Sequence, residues 1–251
     1  MSTVLMIGLS HVVALRNAQA ARLAHGAATF NLLDLELFPK FNPLYRIVEG
    51  EICLHDEVEP ALRRAIEEAA PQLIIGSFWS NQHFFMSTAN LPRRFDFVLP
   101  AEPDLALDAS AEIVPYDVVR HHIRLHCVFQ VLATAAIQRL TRTPLYLMPA
   151  PPPIEDFRAI PKGSSSKAID AMVAEHGPAP ALLRYKFWRL VNAIHDEVAA
   201  ATNVRVLPVP PETVQSNGFR RPEYYYTDWI HANARYGEFV LKQIDASRAQ
   251  I

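Results

Sequence analysis

Short apolar runs alternate with amphipathic helical segments along the chain, and this alternation restricts the fold more than any other feature of the sequence. Residues 3–7, 72–76 and 145–148 form such runs, as expected for strands buried on both faces of a parallel sheet. Residues 56–70 show helical spacing, with apolar side chains on one face. Because strands and helices take turns in this way, we predict an α/β fold with a mostly parallel sheet.

The other predicted elements continue this alternation. Additional strands are predicted over 29–38, 95–99 and 204–207, and additional helices over 11–24, 118–140, 182–201 and 234–246. Pro60 is compatible with the helix over 56–70 only in its first turn. The 251 residues are enough for one sizeable core, so we predict a single domain over 1–251 with a loop-rich insertion around 84–115.

The composition excludes several kinds of partner. A net charge of -2 gives no strongly basic face, so no nucleic acid is expected to bind. No apolar stretch is long enough to span a bilayer, and the N-terminus lacks the segments of a secretory signal, so we expect a cytoplasmic protein. Cys53 and Cys127 form neither a disulfide framework nor a zinc motif and are expected to be reduced thiols.

Ser10 and the segment from Asp228 to His231 carry the residue types of a serine nucleophile and its activating base. A serine hydroxyl is a poor nucleophile until an imidazole accepts its proton, and a carboxylate usually holds that imidazole in the required tautomer. Ser10 directly follows the first apolar run. Two structural alternatives stand beside this interpretation: Ser10 as the N-cap of the following helix, and Asp228 as the N-cap of the last helix.

The predicted sheet explains how residues so distant in sequence can meet. In open α/β sheets, ligands bind outside the carboxyl ends of the strands, where the strand order reverses. Ser10 follows the first strand, Asn81 follows the strand over 72–76, and Asp228 and His231 follow the last strand after a loop. Parallel strands place these segments at one edge of the sheet, so we expect the residues to converge there.

Acyl transfer also requires hydrogen-bond donors aimed at the oxyanion that forms on the attacked carbonyl. The candidates are the backbone N–H of Ser10, the N–H of Gly50 and the side-chain amide of Asn81. Gly50 qualifies because a residue without a side chain can bring its N–H close to a ligand. The alternatives are a turn glycine at position 50 and a loop-capping amide at position 81.

This set of residues resembles the SGNH (GDSL-type) hydrolase superfamily. In that family a nucleophilic serine follows the first strand, a glycine and an asparagine lie in the second and third blocks, and Asp-x-x-His lies near the C-terminus. The matching residues here are Ser10, Gly50, Asn81, Asp228 and His231. The resemblance extends over nearly the whole chain. It implies a flavodoxin-like, three-layer α/β/α sandwich with a five-stranded, mostly parallel sheet.

The chain departs from the family pattern at two places, which indicates a divergent branch. Leu9 precedes Ser10 where the family has an aspartate, and five positions separate Gly76 from Asn81, which is followed by Gln82. These departures motivate an alternative function, a non-catalytic ligand-binding domain built on the same fold. A nucleotide-binding protein of flavodoxin-like shape is disfavoured, because no glycine-rich phosphate turn follows the first strand.

The resemblance implies a serine-dependent ester hydrolase or O-acyltransferase that acts through an acyl-enzyme. Ser10 would attack the ester carbonyl, His231 would move the proton, and Asp228 would orient the imidazole. The implied substrates are O-acyl esters, acetyl esters included, of a carbohydrate or a small metabolite. Neither a metal nor an organic cofactor is expected, and no oligomeric state is predicted.

Four residues are candidates for lining the substrate pocket, because they lie beside the predicted catalytic residues in the sequence. They are His11, Trp79, His83 and Trp229. Aromatic rings next to polar donors suit a sugar face or an acyl chain, and they suit a hydrophobic core equally well.

Two further groups have both a functional and a structural interpretation. Arg220 and Arg221 would suit an anionic group of a substrate, or they form a solvated pair in a loop. His122 and His126 have the i, i+4 spacing of a metal site on a helix. A partly exposed helix face is the favoured interpretation, because no third ligand is evident.

Overall fold

A computed structural model of the chain describes residues 3–26, 30–34, 44–78, 82–160 and 167–248. The strands in these ranges are β1 (Val4–Gly8), β2 (Asn31–Asp34), β3 (Tyr45–Val48), β4 (Glu51–Leu54), β5 (Leu73–Ser77), β6 (Phe95–Asp96), β7 (Glu112–Ile113), β8 (Leu145–Leu147) and β9 (Arg205–Val206). The helices are α1 (Val13–Ala24), α2 (Val58–Ala69), α3 (Gln82–Thr88), α4 (Tyr116–His126), α5 (Val128–Leu140), α6 (Lys167–His176), α7 (Ala181–Thr202) and α8 (Ala234–Arg248).

The central sheet has five strands in the order β2-β1-β5-β8-β9, and all neighbouring pairs are parallel. From β1 the chain first builds outward to β2 and later returns to add β5 on the other side of β1. The strand order therefore reverses between β1 and β5, which is where open α/β sheets bind their ligands. Residues that follow β1 lie at this reversal.

Helices cover both faces of the sheet, and the alternation of side chains along β1 shows the two cores. Val4 and Met6 pack in one hydrophobic cluster with α1 and α8, whereas Leu5 and Ile7 pack in another with α2 and α5. Successive side chains of a strand point to opposite faces, so both faces of β1 are buried. The predicted three-layer α/β fold is confirmed.

A third hydrophobic cluster lies beyond the sheet, between α4, α7 and the segment that contains β6 and β7. This segment includes most of the stretch expected to be a loop-rich insertion. Its only regular structure after α3 is the two-residue pairing of β6 with β7, and turns connect the two strands. The prediction of a single domain with an insertion at 84–115 stays a prediction.

The helix predicted over 118–140 is two helices in the structure, and this prediction was wrong in its continuity. Cys127 separates α4 from α5 with φ -89° and ψ 3°. Val119 and Ile123 of α4 pack in the cluster around α7, whereas Phe129 of α5 packs against the sheet. The break turns the chain from one core to the other.

Besides the short strand β7, several elements were not predicted from the sequence. They are the antiparallel hairpin of β3 and β4, and the helices α3 and α6. The side chains of β3 are mostly exposed, so this strand lacks the continuous apolar pattern by which the buried strands were found. Pro60 lies in the first turn of α2, as its geometry requires.

None of the helices in the described part of the chain combines the length and the apolar character that crossing a bilayer requires. Cys53 and Cys127 are both free thiols.

Candidate active site

Ser10 begins a 3-10 turn, Ser10–Val12, directly after β1 and at the reversal of strand order. The chain leaves the sheet at Leu9, whose N–H donates to the carbonyl of Ser77 at 3.0 Å. Leu9 occupies the N-cap position, so the alternative in which Ser10 caps the helix does not hold. The Ser10 Oγ is buried and has no hydrogen-bond partner among the described residues.

Gly8 is required where β1 meets this turn, because there is no space for a side chain. A Cβ at this position would approach the Cγ1 of Val12 to 2.5 Å and the Cβ of Ser77 to 2.8 Å. Real Cβ atoms do not come so close to their neighbours. The absence of a side chain lets the turn at Ser10 pack tightly against the end of β5.

Asp228 and His231 form a buried pair at the other end of the chain. The His231 Nδ1 lies 2.8 Å from the Asp228 Oδ2, and the other carboxylate oxygen, Oδ1, accepts from the backbone N–H groups of Ile230 at 2.9 Å and His231 at 2.7 Å. With Nδ1–H donating to the carboxylate, Nε2 is left as the proton acceptor of the ring. The His231 Nε2 is buried and has no partner in the described structure.

Asp228 remains ionised in this environment. Burial acts to raise the pKa of its carboxyl group, but the hydrogen bond from His231, the electrostatic interaction with that side chain and the two backbone N–H donors outweigh burial and hold the pKa below its ordinary value. An ionised carboxylate at this position can stabilise an imidazolium on His231.

Asn233, rather than Asp228, caps the last helix. Its side-chain oxygen accepts from the N–H groups of Arg235 at 3.0 Å and Tyr236 at 3.2 Å, in the first turn of α8. The alternative in which Asp228 is the N-cap of this helix therefore does not hold. The Asp228 carboxylate instead accepts hydrogen bonds from the backbone and the ring of His231.

His11 connects the two ends of the candidate site. Its ring centroid lies 5.5 Å from that of His231, and His11 directly follows Ser10. The hydrogen bond between the Ser10 Oγ and the His231 Nε2 that catalysis requires is not formed in this structure, since neither atom has a partner. In ligand-free structures such catalytic hydrogen bonds are often long, and they shorten when substrate binds.

His11 is fully buried, and its imidazole is neutral. Burial, followed by the nearby His231, His83 and Arg220, lowers its pKa well below the ordinary value, while Asp228 acts in the opposite direction. Neither ring nitrogen of His11 has a hydrogen-bond partner among the described residues. A neutral imidazole in this state can donate one hydrogen bond and accept another.

The other pocket candidates lie in two places. His83 of α3 is buried, with its ring 4.5 Å from that of Phe84, and Phe84 lies 6.1 Å from His11. Trp229 stacks on Phe157 at 4.5 Å between ring centroids and belongs to the loop that carries Asp228. Trp79 lies outside the described residues.

The three candidate oxyanion donors also differ in position. Ser10 is the first residue of its turn, where N–H groups have no partner inside the helix. Gly50 lies in the exposed turn between β3 and β4 with φ +85°, and no atom lies within 4 Å of a Cβ built there. This is the position of a hairpin glycine, and it gives no support to a role for Gly50 in an oxyanion hole. Asn81 lies outside the described residues.

Two residues near the site were not assigned a catalytic role from the sequence. Tyr226 packs edge-on against His231, with 6.4 Å between ring centroids. Arg220 is fully buried, whereas Arg221 is exposed, so the two arginines do not form a solvated pair. The basic pair itself was visible in the sequence, but nothing local distinguished its buried member.

The two histidines of α4, His122 and His126, have ring centroids 4.9 Å apart. In the ranges that the structure covers, no group of three or more potential ligands is placed to hold a metal ion.

Neither a scan of the sequence against protein-family models nor a search of curated proteins finds a match. Among solved structures, the periplasmic domain of a lipopolysaccharide acetyltransferase from Salmonella ser. Paratyphi A is similar, with a TM-score of 0.52 and 10% sequence identity over 98% of this chain and 84% of that chain. A GDSL-like lipase from Bacteroides thetaiotaomicron has a TM-score of 0.46 and 12% identity over 99% of this chain and 88% of that chain.

The chain shares the fold of this acetyltransferase domain. The fold class that the sequence resemblance implied is thus confirmed. Sequence identity of 10% does not transfer residue roles. Any role for Ser10, Asp228 and His231 therefore has to be argued from the geometry of this chain.

Proposed function

We propose that the protein is a serine-dependent ester hydrolase or O-acyltransferase that works through an acyl-enzyme. The observation that carries the proposal is the buried Asp228–His231 pair, joined at 2.8 Å, with the Nε2 of His231 left to accept a proton. The ring of His231 lies beside His11, the residue that follows the proposed nucleophile Ser10. A buried imidazole oriented by a carboxylate is the base that a serine nucleophile needs.

In the proposed reaction, the Ser10 Oγ attacks the ester carbonyl and its proton passes to the Nε2 of His231. Asp228 stabilises the imidazolium that forms. As the tetrahedral intermediate collapses, His231 delivers the proton to the oxygen of the leaving alcohol, and the acyl group remains on Ser10. Water or a second alcohol then attacks the acyl-enzyme, with the same proton transfers in reverse. Attack by water makes the protein a hydrolase, and attack by an alcohol makes it a transferase.

The oxyanion of the tetrahedral intermediate needs donors that are already in place. We assign this role to the backbone N–H of Ser10, and we keep the side chain of Asn81 as the second donor on the basis of the family pattern. Gly50 is omitted because of its place in the hairpin turn. The proposed substrates are O-acyl esters, acetyl esters included, of a carbohydrate or a small metabolite.

The test is intact-mass spectrometry after treatment with a fluorophosphonate, which phosphonylates activated serines with loss of fluoride. We expect one adduct per wild-type molecule, mapped to Ser10, and none on Ser10→Ala or His231→Ala. Hydrolysis of p-nitrophenyl acetate should follow the same pattern.

Ser77→Ala is a matched control, because the Ser77 Oγ is also buried without a hydrogen-bond partner, at the end of the neighbouring strand β5. This variant should be labelled like the wild type. An adduct that persists on Ser10→Ala would identify a different nucleophile. A folded wild-type protein that neither reacts nor hydrolyses the ester would favour the non-catalytic binding domain.

A further inference from the structure

Arg220 is a buried charged group near the candidate site with few hydrogen-bond acceptors. Its side chain has no exposed surface, and its one hydrogen bond within the described part of the chain, from Nη2 to the carbonyl of Ile230, is long at 3.4 Å. The Nε and Nη1 atoms have no partner among the described residues. The ring of Tyr225 lies 5.7 Å from the guanidinium carbon, a separation at which a cation–π contact gives only modest stabilisation.

Arg184, on α7, is a buried arginine whose two terminal nitrogens both have acceptors, although its Nε has no partner among the described residues. It is 5% exposed, and its guanidinium donates to the carbonyl groups of Ala179, Ile154 and Glu155 and lies 3.9 Å above the ring of Phe157. Arg220 has no comparable set of acceptors. A buried guanidinium that lacks acceptors reduces the free energy of unfolding unless a counterion or other hydrogen-bond acceptor binds to it.

The charge of Arg220 persists at neutral pH. Burial lowers the pKa of its guanidinium to about 10, while Tyr236, Tyr225 and Asp228 act to raise it. Asp228 is the carboxylate among these neighbours, and its oxygens already accept from the ring of His231 and from two backbone N–H groups. The positive charge beside the site therefore lacks a dedicated counterion.

We propose that Arg220 and His11 form a subsite for a carboxylate carried by the ester substrate, beside the catalytic serine. Arg220 supplies the charge and three N–H groups that lack acceptors, and the ring of His11 supplies a hydrogen bond. This inference rests on the proposed function and specifies its substrate class. The Ser10 Oγ and the His231 Nε2 are buried as well, so an ester that reaches Ser10 has to enter the same buried region, where the Arg220 Nη2 donates to the carbonyl of Ile230 next to His231.

A single guanidinium favours a monoanion over a dianion. His11 stays neutral, because burial, together with the nearby His231, His83 and Arg220, lowers its pKa well below the ordinary value. Among the described residues that form the proposed subsite, Arg220 therefore supplies the positive charge. A carboxylate matches this charge and the planar geometry of a guanidinium, whereas a phosphate dianion would add more negative charge to a buried site that already holds the Asp228 carboxylate.

The test compares kcat/KM for paired esters with and without a carboxylate. One pair, p-nitrophenyl hemisuccinate and p-nitrophenyl butyrate, carries the charge on the acyl portion. The other pair, 3-acetoxybenzoate and 3-acetoxybenzamide, carries it on the alcohol portion. For one of the two pairs we expect the wild type to prefer the carboxylate by about tenfold or more, the usual effect of a charge-assisted hydrogen bond. Equal rates within both pairs would overturn the proposal.

Arg220→Gln should abolish the preference, and Arg220→Lys should retain part of it. The matched control Arg184→Gln should keep the wild-type ratio, because the guanidinium of that arginine donates to backbone carbonyls and has no assigned part in the subsite. A ratio of rates is independent of the fraction of molecules that fold. An equal loss of rate on both members of a pair in Arg220→Gln would show that Arg220 only supports the turn at Ile230, and would overturn the proposal.

Thermal unfolding separates failure of the subsite from failure of the proposed chemistry. Sodium acetate, a monoanionic carboxylate, should raise the melting temperature of the wild type above that in sodium chloride of equal ionic strength, and should not do so for Arg220→Gln. An acetate shift without fluorophosphonate labelling would keep the carboxylate site and reject the esterase. Labelling with neither an acetate shift nor a rate preference would keep the esterase and reject the carboxylate site.

Discussion

Two buried polar clusters in this protein differ in how completely their hydrogen bonds are made. In the first, Lys186 of α7 donates to both carboxylate oxygens of Asp96, at 2.8 and 2.9 Å, and to the carbonyl of Ala106 at 3.0 Å. Asp96 also accepts from the N–H groups of Phe97 and Asp108. All three ammonium hydrogens of Lys186 therefore have acceptors, and both oxygens of Asp96 have donors.

The second cluster, around Asp228 and His231, is only partly satisfied. The Ser10 Oγ, the His231 Nε2, both ring nitrogens of His11 and two nitrogens of Arg220 are buried without partners in the described structure. Native proteins leave few buried polar atoms in this state, and a concentration of them calls for an explanation. The first cluster, called closed here, joins the β6 segment to α7. The second, called open, has several buried polar atoms without partners among the described residues, as the proposed function requires.

The comparison teaches that burial of polar groups alone does not mark a functional site. Both clusters are buried and both contain a carboxylate paired with a base. In the first cluster every hydrogen bond is made, and such a network contributes to a unique fold. In the second cluster several hydrogen bonds are not made, which reduces stability and is typical of sites that function requires. Variants in each cluster should therefore affect different measurements.

The largest expected effect is that of Asp228→Asn on turnover. An amide cannot hold the Nδ1–H tautomer of His231, so the proposed function predicts that kcat for p-nitrophenyl acetate falls by about 10⁴-fold, as it does in Ser-His-Asp enzymes. Initial rates of p-nitrophenol release by protein of known folded fraction would measure the change in kcat. Asp96→Asn is the matched control, and its kcat per folded molecule should stay near the wild-type value. Equal losses of kcat in both variants would remove the functional distinction between the clusters.

Lys186→Met should have the largest effect on stability. It removes the cation and leaves the Asp96 carboxylate buried, which costs about 3–5 kcal/mol of unfolding free energy in comparable cases. Urea denaturation followed by fluorescence would measure the change. The double variant Lys186→Met with Asp96→Asn should recover part of the loss, because it removes the unpaired charge. A single variant as stable as the wild type would show that the closed cluster is not a stabilising network.

His195→Gln should alter the pH dependence of stability. Burial lowers the pKa of His195, on α7, to about 3, against 6.5 for an ordinary histidine. Below pH 6.5 the unfolded chain therefore takes up a proton that the folded protein does not, and stability falls as the pH decreases. The variant should lose about 2 kcal/mol less than the wild type between pH 7 and pH 5.

The measurement is urea unfolding at the two pH values. His11→Gln should act in the same direction, since burial also lowers the pKa of His11. A wild-type protein that is equally stable at pH 5 and pH 7, with no difference in either variant, would mean that these rings are protonated in the folded state.

The smallest expected effect is that of Gly50→Ala. A φ of +85° is strained for any residue with a side chain, so the variant should lose about 1 kcal/mol of unfolding free energy. Its kcat/KM for p-nitrophenyl acetate should equal that of the wild type, because the turn is exposed and its residues have no assigned part in the site. A tenfold loss of kcat/KM without unfolding would return Gly50 to the oxyanion hole.

Much of the central sheet could be predicted because its strands are short apolar runs. The runs at 3–7 and 72–76 became β1 and β5, and both are buried along their whole length. The hairpin of β3 and β4 could not be found in this way, because its side chains are largely exposed. The break at Cys127 was also missed, because both halves of the predicted helix have apolar faces and only the packing shows that these faces belong to different cores.

The sequence by itself determined the parts of the site that depend on short-range geometry. Asp228 and His231 are three residues apart, so one turn of the chain brings the carboxylate to the ring. Ser10 follows a buried strand, and a buried parallel strand delivers the next residues to the carboxyl edge of the sheet. These relations need only local spacing and the direction of one strand.

Only the tertiary structure decided which polar atoms are buried without partners. Arg220 and Arg221 are equivalent in the sequence, yet one is fully buried and the other is exposed. Gly50 matches a family position in the sequence, yet it lies in an exposed hairpin turn. The reason is that burial and hydrogen-bond satisfaction depend on elements far apart in the chain, and local composition does not specify which of these elements meet.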